Sequence, residues 1–179
     1  MSRPIVTKEQ MLRRVAFFKD LKASNRPLID AVLPQFEREN FNIIGRGVTE
    51  DATMHVAIPE AEGFHLTLVK AAPGKGSDLH VHQTVEVFVP LTGNWSFQWG
   101  DDGENELRIG PWDVISLPTG IMRGFRNETP VDAFMLTIIG GTDPGKVVWN
   151  EKLLAAVRSI GYQIDEHGAI SKAAAQDEA

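Results

Sequence analysis

Residues 74–93 read Gly-Lys-Gly-Ser-Asp-Leu-His-Val-His-Gln-Thr-Val-Glu-Val-Phe-Val-Pro-Leu-Thr-Gly. Two of the chain's five histidines, His80 and His82, lie here one residue apart, and Glu86 follows four residues later. Side chains alternate between the faces of a β-strand, so a regular strand puts positions 80, 82 and 86 on one face. Two imidazoles and a carboxylate converging from one side are ligands that a divalent transition metal prefers. Pro73-Gly74 and Gly93 bracket the stretch as turn signals.

The spacing Gly74, His80, His82, Glu86, Gly93 resembles the first motif of the cupin superfamily. A second stretch follows where that family carries its second motif: Trp112-Asp113-Val114-Ile115-Ser116-Leu117-Pro118-Thr119-Gly120-Ile121-Met122-Arg123-Gly124-Phe125-Arg126-Asn127. Asp113, Pro118, Gly120 and Asn127 fall in place. Two positions depart: the family's leading glycine is Trp112 here, and its last metal-binding histidine is Arg123. The resemblance implies an all-β fold, a double-stranded β-helix or jelly-roll barrel, with helical N- and C-terminal extensions.

The rest of the chain agrees with such a barrel. Strand-like segments occur at 41–45, 53–58, 64–69, 94–99, 107–109, 113–117, 123–127 and 133–139, separated by turn residues. Many short strands at this spacing point to a β-sandwich or barrel. Helical patterns occur only at the ends. Thr7 and Gln10 form a potential capping box before a helix expected over 7–22, with Met11, Val15 and Phe18 at helical spacing. Near the other end Trp149, Leu153, Leu154, Val157 and Ile160 recur at helical spacing, with Gly161 as a C-terminal cap. The organisation read from this is an N-terminal arm over 1–40, a barrel over 41–140, and a C-terminal helix and tail over 141–179 packed on the same domain.

A chain of 179 residues with 42% apolar content suits one domain with extensions. The formal net charge of −6, with no basic run, argues against a nucleic-acid surface. No cysteine is present, which removes disulfides, thiolate ligands and cysteine nucleophiles. No apolar run is long enough to cross a bilayer, and the expected location is the cytoplasm. Edge strands of a barrel need covering, and the long arm suits that task, so a homodimer is expected.

The metal set expected from the resemblance is His80, His82 and Glu86, holding iron, zinc, manganese or nickel. Arg123 cannot complete the set, because its guanidinium stays protonated and has no lone pair to donate. One reading keeps a metal on three ligands with open positions and uses Arg123 to grip a substrate carboxylate. That makes a dioxygenase-like oxidoreductase acting on a small organic acid, with Glu86 and Arg123 as the catalytic pair. The other reading lets Arg123 pair with Glu86 in place of the metal, leaving a binder of small anions. His65, on the strand before the motif, and Gln98, on the face of its strand away from Trp95, Phe97 and Trp99, are further substrate contacts. His55 and His167 read as ordinary surface histidines.

Overall fold

The structure is a computed structural model and describes residues 3–173. The alanine-rich end of the chain, 174–179, lies outside the described residues. After a short helix α1 (Lys8–Leu12), ten strands follow in succession. They are β1 (Glu39–Ile44), β2 (Val56–Ile58), β3 (Phe64–Ala71), β4 (Gly76–Val81), β5 (Glu86–Pro90), β6 (Trp95–Trp99), β7 (Asn105–Ile109), β8 (Ile115–Leu117), β9 (Arg123–Asn127) and β10 (Ala133–Gly140). The chain ends with β11 (Val148–Trp149), helix α2 (Glu151–Ser159) and the hairpin of β12 (Tyr162–Ile164) and β13 (Ile170–Lys172).

Two sheets face each other. One runs β2-β1-β3-β10-β5-β8 and the other β11-β4-β9-β6-β7. The connections cross between sheets, and consecutive strands rarely pair. This is the jelly-roll winding that the resemblance implied, and one of the barrels or sandwiches to which the strand spacing pointed.

Along β10 the burial alternates residue by residue, with Ala133, Met135, Thr137 and Ile139 inside. The interior then divides into two halves. One is apolar, built from Val69, Ala71, Phe88, Trp95, Phe97, Leu117, Phe125, Ala133 and Met135. Phe88, Phe97 and Phe125 meet there at ring-centroid distances of 5.1 to 6.3 Å, a range in which tilted aromatic pairs attract. The other half is lined by polar side chains and carries the site.

Strand β4 is irregular in a way that matters. Ser77 pairs with Phe125 and His80 pairs with Arg123, so three residues of β4 span two of β9. This is a β-bulge, and the extra residue resets the alternation. Ser77 and His80 therefore both point inward although an odd number separates them. Gly76, at the start of the strand, lies so close to β9 that a Cβ would sit 1.8 Å from the Phe125 carbonyl oxygen. Only glycine permits that approach.

Segments flanking the barrel on both sides pack together outside it. Leu28, Ile29 and Leu33 form a second cluster with Trp149, Leu153 and Val157. Trp149 belongs to β11 and pairs with His80 of β4, whereas the helical periodicity had placed it in the helix. Asn150 caps α2 by accepting from the Leu153 amide at 2.7 Å. Glu50 ties the cluster together: its carboxylate accepts from the Ile29 amide at 2.6 Å and from the Trp149 indole at 2.9 Å.

The helix expected over 7–22 is one turn and a little more. Its capping box forms, with Thr7 and Gln10 bonding reciprocally. No residue of α1 is buried, and the backbone is extended again by Phe17. A short helix whose apolar side finds no partner lacks the packing that stabilises most helices in proteins.

Candidate metal centre

His80 lies near the end of β4, His82 is the first residue after it, and Glu86 opens β5 in the opposite sheet. The expectation of one continuous strand presenting all three is corrected here. Residues 83–85 form a turn that carries the chain across the barrel, so the ligands approach from two sheets. The convergence survives: one potential ligand atom from each residue lies within 4.8 Å of those of the others, and all three residues are buried. The two imidazole rings stand perpendicular with centroids 4.9 Å apart. His82 Nε2 lies 3.8 Å from Glu86 Oε2.

His80 is held by its surroundings. Its Nδ1 lies 2.7 Å from the Asp78 carbonyl, so Nδ1–H donates there and Nε2 keeps its lone pair. The Asp78 amide in turn donates to Asp30 Oδ2 at 3.1 Å. Asp30 is fully buried and forms a two-pronged ion pair with Arg38, at 3.0 and 2.9 Å. Arg38 also donates to the Gly76 carbonyl at 2.9 Å. An ion pair from the N-terminal segment thus clasps both ends of the bulged part of β4.

Burial pushes the His80 pKa well below its ordinary value, and the neighbouring charges of His82 and Arg123 add to the effect. His82 is lowered too, by burial first and by Arg123, with Glu86 opposing. Both rings are neutral near pH 7, the form that ligates metals. His82 Nδ1 is buried with no hydrogen-bond partner, a free donor atom in a polar site. The donor set therefore fits a divalent transition metal.

Arg123 sits in the same place. It is 1% exposed, and its Nη2 and Nε donate to Glu86 Oε2 at 2.9 and 3.2 Å. Both bonds land on one oxygen. A fixed cation about 4 Å from a dication would repel it by on the order of 8 kcal/mol at an effective dielectric of 20, before Glu86 or a bound anion screens it. The same planar fork is suited to a second carboxylate.

Beside His80, His82 and Glu86 lies a cavity of about 30 Å³. Its walls include Arg38, Asn40, Thr67, Ser77, Phe88, Phe125 and Thr137 as well as His80, His82 and Glu86. Thr67 and Thr137 were open to discovery from sequence as polar residues at inward positions of apolar strands, a pattern that a motif search passes over; Ser77 was not, because the bulge resets its parity. Asp30 and Arg38 gave no such signal, since their link to β4 is made only in three dimensions.

Two expected substrate contacts lie elsewhere. His65 faces inward but lines a separate cleft of about 550 Å³, together with Arg46 and Lys146. Its Nδ1 accepts from the Gly47 amide at 3.2 Å and its Nε2 donates to the Thr142 carbonyl at 3.1 Å, so both nitrogens serve the loops. Gln98 is on the outer side of β6, where its amide donates to Ser96 at 2.7 Å and Glu106 at 2.9 Å. Strand alternation sends Phe97 inward and Gln98 outward. His55 and His167 are exposed.

No family model and no curated protein matches the chain. Solved structures do. The oxalate decarboxylase of Lactobacillus farciminis, in complex with formate, superposes with a TM-score of 0.55 at 16% identity over 77% of this chain. This chain spans only about a third (36%) of that protein's length. The polyketide cyclase RemF of Streptomyces resistomycificus gives 0.53 at 18% identity, over 76% of this chain and 87% of its own. The cupin domain of Schizosaccharomyces pombe Cnp3 gives 0.50 at 10% identity, covering 70% and 72%. At these identities the likeness is one of fold. Taken with the sheet order and the strand winding, it gives the chain the double-stranded β-helix fold of the cupin superfamily.

Proposed function

We propose that the protein is a metal-dependent cupin enzyme, a dioxygenase-like oxidoreductase that acts on a small organic acid. The observation that carries this reading is the buried convergence of His80, His82 and Glu86, with both imidazoles held neutral. Among the described residues no other group of histidine and acidic side chains meets in this way. When bound, iron, manganese or nickel would supply Lewis acidity and a redox centre, and zinc would supply Lewis acidity alone. His80 Nε2, a nitrogen of His82 and a carboxylate oxygen of Glu86 would hold the ion.

Arg123 does the rest of the binding. Its fork moves from Glu86 to the carboxylate of the incoming acid, which neutralises the substrate and frees Glu86 for the ion. Phe88 and Phe125 close the cavity on its apolar side and keep bulk water out. Similarly folded structures include the oxalate decarboxylase above and an oxalate oxidase in complex with glycolate, at 17% identity and a TM-score of 0.50.

The Arg123–Glu86 pair favours a second reading, a metal-free cupin that binds a small anion without turnover. Metal analysis by mass spectrometry of protein purified without an affinity tag separates the two. Near-stoichiometric metal, retained or regained on incubation with iron, is expected; less than about a tenth of an equivalent would favour the anion binder.

The same proposal includes a homodimer. Ile5, Val6, Met11, Leu12, Phe17 and Phe18 are exposed on the arm, and the ion pair of Arg14 with Glu62 at 2.8 Å lays the arm along its own barrel. Sedimentation of the full chain and of a chain lacking residues 1–17 tests it. A monomer for the full chain would refute it.

A further inference from the structure

Among the described residues, three buried polar side-chain atoms have no hydrogen-bond partner: His82 Nδ1, Asn40 Oδ1 and Thr137 Oγ1. All three residues line the same cavity. His82 belongs to the ligand cluster. Asn40 and Thr137 do not, and they need another explanation, because a buried polar atom left unpaired costs roughly 1–3 kcal/mol. Both are more than nine-tenths buried, at 8% and 6% exposure.

Their positions are set by register. Ile139 is the partner of Glu86 and Thr137 the partner of Phe88, so Thr137 is the inward diagonal neighbour of Glu86 on the adjacent strand. Such neighbours lie about 7–8 Å apart at Cα, with their side-chain ends closer. Asn40 lies one step deeper, on β1, level with Val69 and Met135. Moving inward from the charged end, the cavity therefore presents the Glu86 carboxylate, to which the Arg123 guanidinium is bonded from behind, then a hydroxyl, then an amide. Val69, Phe88, Phe125 and Ile139 fill the walls between them. An acid with a plain hydrocarbon chain would leave both polar groups unpaired.

We propose that Thr137 and Asn40 form a specificity subsite for a short-chain hydroxycarboxylic acid, whose carboxylate goes to Arg123 and whose hydroxyl groups reach down the cavity. The inference rests on the organic-acid reading of the site and adds the substrate class. Thr137 Oγ1 can donate to or accept from a ligand hydroxyl, and Asn40 Oδ1 requires a donor, which a hydroxyl supplies and an ether or a methyl does not. The free cavity is small, so the ligand is limited to a few carbons, and it gains room when Arg123 turns from Glu86 to the ligand carboxylate.

Three three-carbon acids with none, one and two hydroxyls make the test: propionate, lactate and glycerate. Their binding is measured by calorimetry on metal-free protein and on zinc-loaded protein, where zinc prevents redox turnover. Affinity should rise along the series, by about five- to tenfold for each hydroxyl that is paired. Thr137→Val and Asn40→Leu should each flatten the series while leaving propionate binding in place. In the absence of any acid, Thr137→Val should also raise the thermal midpoint, since it removes an unpaired hydroxyl at nearly constant shape.

Equal binding of all three acids, lost in Arg123→Gln, would leave the organic-acid reading intact and overturn the subsite. A series that survives both Thr137→Val and Asn40→Leu would overturn it too. So would an unchanged or lowered midpoint for Thr137→Val, the result if water alone satisfies the hydroxyl. Binding of none of the acids, with or without zinc, would refute the organic-acid reading and the subsite together.

Discussion

Arg123 occupies the position where a fourth ligand is expected from the resemblance, and its charge works against the ion that its neighbours would hold. Replacing it with glutamine should separate the two effects. Arg123→Gln leaves Glu86 buried without its partner, and the metal-free variant should lose about 3–5 kcal/mol of stability in urea unfolding. Zinc should bind it at least about tenfold more tightly than it binds the parent, read by competition with a chromophoric chelator, because the repulsion is gone. Trp112 stands at the other departure from the family pattern. It has φ of +71° and is the one described non-glycine residue in the left-handed region. The backbone there holds a conformation that glycine adopts without strain and other residues do not. Its indole is 75% exposed and packs on little, so Trp112→Gly should raise stability by about 1 kcal/mol. The candidate ligands His80, His82 and Glu86 were legible at this scale because the spacing of histidine and glutamate is itself a geometric constraint. Gln98 was misplaced because a polar residue beside an aromatic stripe looks equally suited to a cavity and to solvent. His65 faces inward as its parity requires, but its partners, the Gly47 amide and the Thr142 carbonyl, come from loops that periodicity does not locate.

Among the elements, β4 shows what pattern reading leaves out. Alternation put His80 and His82 on one face but said nothing of the bulge that brings Ser77 to the same side, nor of the turn at 83–85 that hands Glu86 to the other sheet. The bulge depends on the Asp30–Arg38 pair, 38 and more residues upstream of the strand it supports. Asp30→Asn keeps the shape but weakens the grip on the Asp78 amide and so loosens the carbonyl that orients His80. It should lower zinc affinity by about 10–100-fold. The nitrogen chemical shifts of His80 should also show loss of the single Nδ1–H tautomer, a change that a general loss of stability does not produce. The arm illustrates the opposite error. Its capping box and apolar spacing were read correctly as local signals, yet they yield a helix of five residues, because local signals need a surface to pack against.

At the scale of the whole molecule, the termini are fastened through Glu50, which joins the segment at Ile29, the strand at Trp149 and, by its carbonyl, the Ile170 amide at 2.9 Å. Burial is the main cause that raises the Glu50 pKa to about 7. Its folded pKa lies above its unfolded value of about 4.3, so between these two pH values the unfolded chain releases the proton first. Stability from this group is therefore complete at low pH, declines as pH rises through about 7, and is level above. The decline amounts to an order of 3 kcal/mol. Glu50→Gln should remove it, so that the variant and the parent differ in the slope of stability between pH 5 and 8, as read by denaturant unfolding in a series of buffers. The barrel was legible from its many short strands and their turn signals. The fastening was not, because one buried glutamate in a loop looks like any other acidic residue until its three partners are seen.

The turn at residues 83–85 has one more consequence. Because it delivers two of the ligands from one sheet and the third from the other, a cation seated among them would act as a rivet through both walls of the barrel. Loading the protein with zinc should then slow amide exchange in both strands at once, and stripping the ion should let the two walls breathe apart along that line.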